Sequence, residues 1–174
     1  MNDFNEIAML LLIVVPLAGS LSMMFMPGGQ TKETWYFAIF IAAISLCLSL
    51  VVFGNYDYNA GGFQYVASYE WLPGPLDISL SLGLDGISAP MVLLNGLVLF
   101  GGVLVSQTVH YRAREFFVLL FALAAGVYGV FVAQDLFFLF FFYELAVLPM
   151  YLLIGVWAAA LILARSCAPK NMVP

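Results

Sequence analysis

The sequence predicts an all-α polytopic membrane protein with about five transmembrane helices. Hydrophobic residues make up 64% of its 174 residues, charged residues make up only 9%, and the mean hydropathy is +1.05. A soluble domain carries about a quarter charged residues, so this chain has too few charges to build a water-facing surface. The hydrophobic residues also fall into five separate runs, each long enough to cross a bilayer as a helix.

The five apolar runs define the predicted membrane-spanning helices. Each is about 18–22 residues long, which at 1.5 Å per residue covers the ~30 Å hydrocarbon core of a bilayer. They occupy residues 7–26, 35–53, 90–108, 116–133 and 136–157. The first run is interpreted as a spanning helix and not as an export signal, because its N-terminal flank is acidic and lacks the basic residues of such signals.

The segment between the second and third runs predicts a small β-hairpin near residues 63–84. Residues 63–71 are rich in aromatic and β-branched side chains, residues 72–75 read Leu-Pro-Gly-Pro, and residues 76–84 alternate apolar and other side chains. Aromatic and alternating stretches on either side of a proline–glycine turn are typical of paired strands. Asp85, which follows the hairpin, is interpreted as a turn or cap residue.

The distribution of positive charge predicts the topology. Lys32 follows the first run, Arg112 and Arg114 follow the third, and Arg165 and Lys170 follow the fifth. The other connections contain acidic residues and no lysine or arginine. Because lysine and arginine in short loops stay in the cytoplasm, we expect the N-terminus and the hairpin outside and the C-terminus in the cytoplasm.

Glu144 is the candidate functional residue because it places a carboxylate inside the fifth run. An ionised carboxylate in hydrocarbon costs at least a few kcal/mol, so intramembrane acids usually serve proton or ion pathways. Pro149 cannot donate to the carbonyl of Leu145, which predicts a helix kink beside the carboxylate and a place for a bound water. The alternative is a protonated Glu144 that only holds helices together.

The remaining polar residues predict structural roles. Asn95, Ser106 and Gln107 are expected to form hydrogen bonds between helices, and Asp135 is expected to cap the fifth helix. The aromatic residues Phe137–Phe142 are expected to meet lipid and neighbouring helices.

The sequence predicts neither catalytic residues nor a cofactor. Cys47, Cys167 and His110 do not cluster, so no disulfide or metal site is expected. The chain also lacks a glycine-rich phosphate loop and a nucleophile triad. We expect no nucleic-acid partner.

Two segments resemble a known family. Residues 141–157, FFYELAVLPMYLLIGVW, resemble the fifth transmembrane helix of chain M (chain 4) of proton-pumping NADH:quinone oxidoreductase, respiratory complex I. Residues 82–88, LGLDGIS, resemble the segment before the third helix of that antiporter-like subunit family. The resemblance extends over about residues 1–157.

The resemblance implies a function for Glu144. In that family the matching glutamate is part of a proton channel and exchanges pairing or protonation with a lysine on a later helix. The resemblance further implies that other membrane-arm subunits and the lipid bilayer are the partners, that other subunits handle NADH and quinone, and that the chain lies in a bacterial inner membrane.

The sequence departs from the family after residue 157. Residues 158–174 are therefore predicted to form a divergent cytoplasmic tail, separate from the antiporter-like helices of residues 1–157. A premature stop, a shifted reading frame or a split reading frame is the expected explanation, and a chain of this length is not expected to pump alone. The alternatives are a subunit of a Mrp-type cation/proton antiporter or of a membrane-bound hydrogenase, or a small helical scaffold protein without transport activity.

Overall fold

The computed structural model describes residues 2–26, 31–59, 61–72, 78–109 and 112–158. The predicted architecture is confirmed: the described chain contains five helices that are long and apolar enough to cross a membrane, together with one two-stranded sheet. The chain is thus an integral multi-pass membrane protein. Its elements are α1 (Asn2–Met24), α2 (Thr31–Gly54), β1 (Gln64–Leu72), β2 (Ile78–Leu84), α3 (Ser88–Val105), α4 (Ala113–Val132) and α5 (Leu136–Leu153).

The helices do not end where the apolar runs end. α2 begins at Thr31 and therefore includes Lys32, while α4 begins at Ala113 and includes Arg114. α3 ends at Val105, and the next three residues form a single 3₁₀ turn. Backbone hydrogen bonds set these boundaries, and they continue into the polar interface where side-chain hydropathy has already changed.

The predicted hairpin is confirmed as an antiparallel pair of strands packed on one end of the helices. Ser68 lies opposite Ser81 in the register, and the pairing is irregular towards both ends of β1. The Gln134 backbone N–H, just after α4, donates to the Ser81 carbonyl at 2.9 Å. Leu82 and Leu84 are fully buried in the adjoining core. The predicted turn at residues 72–75 falls almost entirely outside the described residues.

The basic residues of the described chain lie together at the opposite end. The Arg114 guanidinium donates to the Met26 carbonyl at 2.9 Å, and the Trp35 indole donates to the Val103 carbonyl at 3.0 Å. These bonds join the end of α1 to the start of α4, and the start of α2 to the end of α3. Lys32, Arg112 and Arg114 therefore share one end, as the charge-based topology requires, although the compartment that this end faces stays a prediction.

The short connection before α5 ends in a side-chain cap. Asp135 accepts hydrogen bonds at Oδ1 from the backbone N–H groups of Phe137, at 2.7 Å, and Phe138, at 3.4 Å. These donors have no partner within the helix, so the carboxylate stabilises its start by about 1 kcal/mol. The predicted cap role of Asp135 is confirmed. Asp85 acts at a turn through its carbonyl, which accepts from Ala89 N–H at 3.0 Å.

α4 is the central helix of the bundle. It contacts each of the other four helices and the second strand. Its fully buried aromatic side chains lie in two apolar clusters, with Tyr128 towards the hairpin end and Phe117 and Phe121 towards the basic end. The position of α4 decides how α5, the helix that carries Glu144, is presented.

Candidate functional site

α5 packs against α4 through a single stripe of side chains. Phe138, Phe142 and Pro149 are the buried residues of α5, and their spacing of four and seven residues places them on one side of the helix. α4 presents two glycines to this stripe. A Cβ atom added at Gly126 would lie 2.7 Å from the backbone nitrogen of Ala146, and one added at Gly129 would overlap the ring of Phe142.

These contacts turn Glu144 away from α4. Phe142 and Ala146, which meet the two glycines, each lie two residues from Glu144, which corresponds to about 200° around the helix. The Glu144 side chain is accordingly exposed. Neighbours at helical spacing on the same side are exposed as well, and together they form what we call the outer face of α5: Phe137, Phe140, Glu144, Leu148 and Tyr151.

The Glu144 carboxylate has no polar partner in the part of the chain that the structure describes. Arg112 pairs with Glu115, and Arg114 bonds to the Met26 carbonyl, both at the basic end of the bundle. A carboxylate that makes no hydrogen bond to α1–α4 does not hold these five helices together. An ionised carboxylate that faces lipid is energetically unfavourable, so we expect Glu144 to have a polar partner or to be protonated.

Pro149 lies inside α5 with its ring buried. The helix passes through it and continues to Leu153, where it changes to a π-helical segment, Ile154–Ala158. Because proline has no N–H, the Leu145 carbonyl lacks its usual donor. Pro149 itself lies five residues before the start of the π-helical segment. π-helical turns inside α-helices are frequent at functional sites. The kink predicted at Pro149 stays a prediction.

The predictions for two polar residues of the third apolar run, Asn95 and Ser106, have opposite outcomes. The Asn95 side-chain amide donates to the Ala124 carbonyl of α4 at 3.2 Å, so its role between helices is confirmed. The prediction for Ser106 is wrong, because its hydroxyl donates to the Gly102 carbonyl one turn earlier, at the end of α3, at 2.6 Å and not to another helix. A serine hydroxyl readily reaches the carbonyl four residues earlier. Gln107 is exposed, and His110 lies outside the described residues.

The phenylalanine-rich start of α5 has the predicted mixture of environments. Phe138 and Phe142 are buried, whereas Phe137, Phe140 and Phe141 are exposed. The exposed rings are suited to lipid or to a further membrane segment, and the buried pair fixes the helix on α4.

A buried polar contact that the sequence analysis missed joins α2 to α4. The Ser49 hydroxyl lies 2.9 Å from the Tyr128 hydroxyl and donates to the Ser45 carbonyl at 2.9 Å, so Tyr128 is the donor in the contact between the two side chains. A Cβ atom at Gly96 of α3 would lie 2.8 Å from the Ser49 oxygen. Gly96, a small residue in the middle of an apolar run, was the available signal of this close approach.

The chain is similar to curated subunits of known name. It is 39% identical over 148 residues to NAD(P)H-quinone oxidoreductase chain 4 2 of Trichodesmium erythraeum (strain IMS101), a match that covers 84% of this chain and 26% of that protein. It is 34% identical over 148 residues to the chloroplastic chain 4 of Chlorokybus atmophyticus, covering 84% and 29% respectively. The chain thus spans little more than a quarter of the length of these relatives.

Solved structures share its fold. A chain of respiratory complex I from Thermus thermophilus with bound NADH matches with a TM-score of 0.72 at 25% identity, covering 86% of this chain and 29% of that one. A chain of an archaeal membrane-bound sulfane sulfur reductase matches with a TM-score of 0.68 at 18% identity, over 84% of this chain and 29% of that chain, which shows the fold alone. No protein-family profile matches. The chain belongs to the NAD(P)H-quinone oxidoreductase chain 4 family and corresponds to an N-terminal part of that subunit.

Proposed function

We propose that this chain supplies the N-terminal helices of the proton-translocating membrane subunit of an NADH:quinone oxidoreductase. In this role it carries no redox centre, and electron transfer from NADH to quinone takes place in other subunits. The chain spans about a quarter of its relatives, so the activity belongs to the complete subunit in its complex. The isolated chain is not expected to pump protons.

The orientation of Glu144 carries this proposal. α4 occupies one side of α5, and the carboxylate projects from the other side, where the described chain offers it no polar partner. An acid on the outside of a bundle becomes useful when further helices of the same subunit cover it and bring a cation to it. A nearby cation lowers the pKa of a carboxyl and desolvation raises it, so moving that cation makes the acid release or bind a proton.

Pro149 supports the same role. It removes a backbone donor from the turn that follows Glu144, and the freed Leu145 carbonyl can accept from a water molecule. A water beside an intramembrane acid extends a path for protons beyond the reach of the side chain. We therefore assign proton translocation to Glu144 and a positioning role to Pro149.

The charge distribution supports the proposed orientation. The end that carries Lys32, Arg112 and Arg114 is assigned to the cytoplasmic side, and the hairpin is assigned to the outer side. The proposed location is the bacterial inner membrane, and the proposed partners are the other membrane-arm subunits. A subunit of a Mrp-type antiporter or a membrane-bound hydrogenase, or a scaffold without transport activity, is the alternative.

Replacing Glu144 with glutamine in the full-length subunit tests the proposal. E144Q keeps the shape of the side chain but cannot exchange a proton, so NADH-driven proton uptake into inverted vesicles should fall to a small fraction at equal amounts of assembled complex. The matched control is Glu33→Gln, which removes an exposed carboxylate at the start of α2. E33Q should pump normally.

Three results would contradict the proposal. Normal proton uptake per electron in E144Q would remove Glu144 from the proton path. A loss of assembly without any change in pumping by the complex that does form would favour the scaffold function. Sodium-dependent transport without quinone reduction would favour an antiporter.

A further inference from the structure

A cavity of about 450 Å³ opens at the basic end of the bundle, between the ends of α1, α4 and α5. Its volume is within the range of ordinary ligand pockets. It lies on a different part of α5 from Glu144, beside the π-helical segment. Its two halves differ in character, one charged and one apolar.

The charged half is formed by the start of α4. Arg112, Arg114 and Glu115 line it, which leaves one net positive charge. Arg112 forms an ion pair with Glu115, and Arg114 is held by the Met26 carbonyl at the end of α1. These contacts position two guanidinium groups at the level where a membrane helix enters the polar interface. Guanidinium groups bind phosphate through charge-assisted hydrogen bonds.

The apolar half continues along the membrane-spanning parts of two helices. Val118 and Leu119 of α4 face Leu152 of α5 and Val156 of the π-helical segment across the cavity. Trp157 closes one side, with its ring centroid 5.4 Å from that of Phe116. Tryptophan is enriched at membrane interfaces, where its ring lies at the level of the lipid head groups.

We propose that this cavity binds an anionic phospholipid, with its phosphate at Arg112 and Arg114 and one acyl chain along the α4–α5 wall. A soluble anion would leave the apolar half unused, and a zwitterionic lipid would gain less from the net positive mouth. Basic pockets between membrane helices on the cytoplasmic side are suited to anionic head groups. The bound lipid would fill the space between α4 and the end of α5.

Native mass spectrometry of the purified chain in detergent tests the proposal, with phosphatidylglycerol and phosphatidylcholine as the two probes. Phosphatidylglycerol should bind more tightly. Replacing Arg112 and Arg114 with glutamine should weaken its binding about fivefold for each arginine, since one basic residue near a membrane surface contributes about 1 kcal/mol. The control is Lys32→Gln, which removes an exposed positive charge from the same end but outside this cavity.

Two further variants keep the test decisive if the arginine variants fail to fold. Leu119→Trp fills the apolar half without changing the charge and should weaken phosphatidylglycerol binding. Glu115→Gln raises the net charge of the mouth and should strengthen it. Equal weakening by K32Q would overturn the proposal, because it would indicate binding to the general basic surface.

Two further experiments test whether a free anion or another protein segment occupies the cavity in place of a lipid. Competition by glycerol phosphate, together with no effect of L119W, would indicate a site for a free anion and overturn the lipid assignment. A crosslink from position 119 to another protein segment in the full-length subunit would show that protein fills the cavity, which would also overturn it. A crosslink from that position to a photoactivatable phosphatidylglycerol would support it.

Discussion

α4 and α5 are both apolar helices long enough to cross a membrane, yet they have opposite surroundings. Within Ala113–Val132, 44% of an 18-residue stretch is buried, whereas within Leu136–Trp157 only 11% of such a stretch is buried. α4 meets helices on several sides, and α5 meets α4 on one. Helices of similar composition therefore have different roles: α4 packs at the centre of the bundle, whereas most of the surface of α5 makes no contact with the other described helices.

Small residues account for much of this difference. Gly126 and Gly129 of α4 are buried against Ala146 and Phe142, and without side chains at these two positions the backbone of α5 can approach closely. In a membrane, where lipid is as apolar as leucine, such close packing is a main source of helix association. On α5 the bulky residues of the outer face have no such counterpart among the described residues, and the only acid of the helix lies among them.

The largest expected effect comes from breaking the α4–α5 contact. Gly126→Leu would place a Cβ atom 2.7 Å from the Ala146 backbone nitrogen and 2.9 Å from its Cα. Backbone atoms cannot move aside as a side chain does, so the free energy of unfolding should fall by about 2–3 kcal/mol. Unfolding in mixed micelles with increasing sodium dodecyl sulfate measures the loss.

The matched control is Gly101→Leu, because a Cβ atom at Gly101 of α3 meets nothing within 4 Å. Its unfolding free energy should change by less than about 0.5 kcal/mol. If both variants lose the same stability, helix propensity or lipid contact is responsible and the close α4–α5 contact is not.

A second test asks whether Leu148 and Glu144 lie on the same side of α5, as the outer-face assignment requires. Leu148 lies one turn after Glu144 and is 61% exposed. A lysine near the centre of a spanning helix costs about 2.5–3.5 kcal/mol, and a carboxylate one turn away should offset part of that cost. We expect L148K to destabilise the E144Q background by about 1 kcal/mol more than the wild-type background in a double-mutant cycle.

Met150→Lys provides the comparison for this cycle. Met150 is also exposed on α5 but lies about 120° away from Glu144 around the helix. M150K should cost the same with glutamate or glutamine at position 144. The outer-face assignment would fail if M150K coupled to Glu144 more strongly than L148K does.

The smallest expected effect concerns the buried polar contact of α4. Tyr128→Phe removes the hydroxyl that donates to Ser49, and the unfolding free energy should fall by about 0.6 kcal/mol, the average for hydrogen bonds between membrane helices. Tyr151→Phe removes a hydroxyl from α5 that is 73% exposed, and should change stability by less. A larger loss of unfolding free energy in Y151F than in Y128F would contradict the assignment of α4 as the central helix and of Tyr151 to the outer face of α5.

Much of the fold was predictable because it depends on local chemistry. The five spans follow from hydropathy and length, the hairpin follows from alternation around a proline–glycine turn, and the Asp135 cap follows from an acid just before an apolar run. The helix ends were less predictable, since α2 and α4 begin among charged residues. Ser106 was assigned incorrectly because a serine can satisfy its hydroxyl at a carbonyl one turn earlier.

The candidate site was also predictable only in part. The sequence places Glu144 inside a spanning helix with Pro149 one turn and a half beyond it, and excludes a lysine or arginine partner from all five apolar runs. It does not indicate which side of α5 packs, because α5 is apolar nearly all round. Gly126 and Gly129 decide that question, and they lie in a different helix.

The sequence by itself therefore determined that this protein crosses the membrane, which ends of its helices share the basic residues, and that one acid lies in the hydrocarbon region. Only the tertiary structure decided that this acid faces away from the bundle and that two arginines and an apolar wall form one cavity. The physical reason is that hydropathy and charge belong to single residues. Orientation and cavities arise where glycines and alanines let one helix approach another.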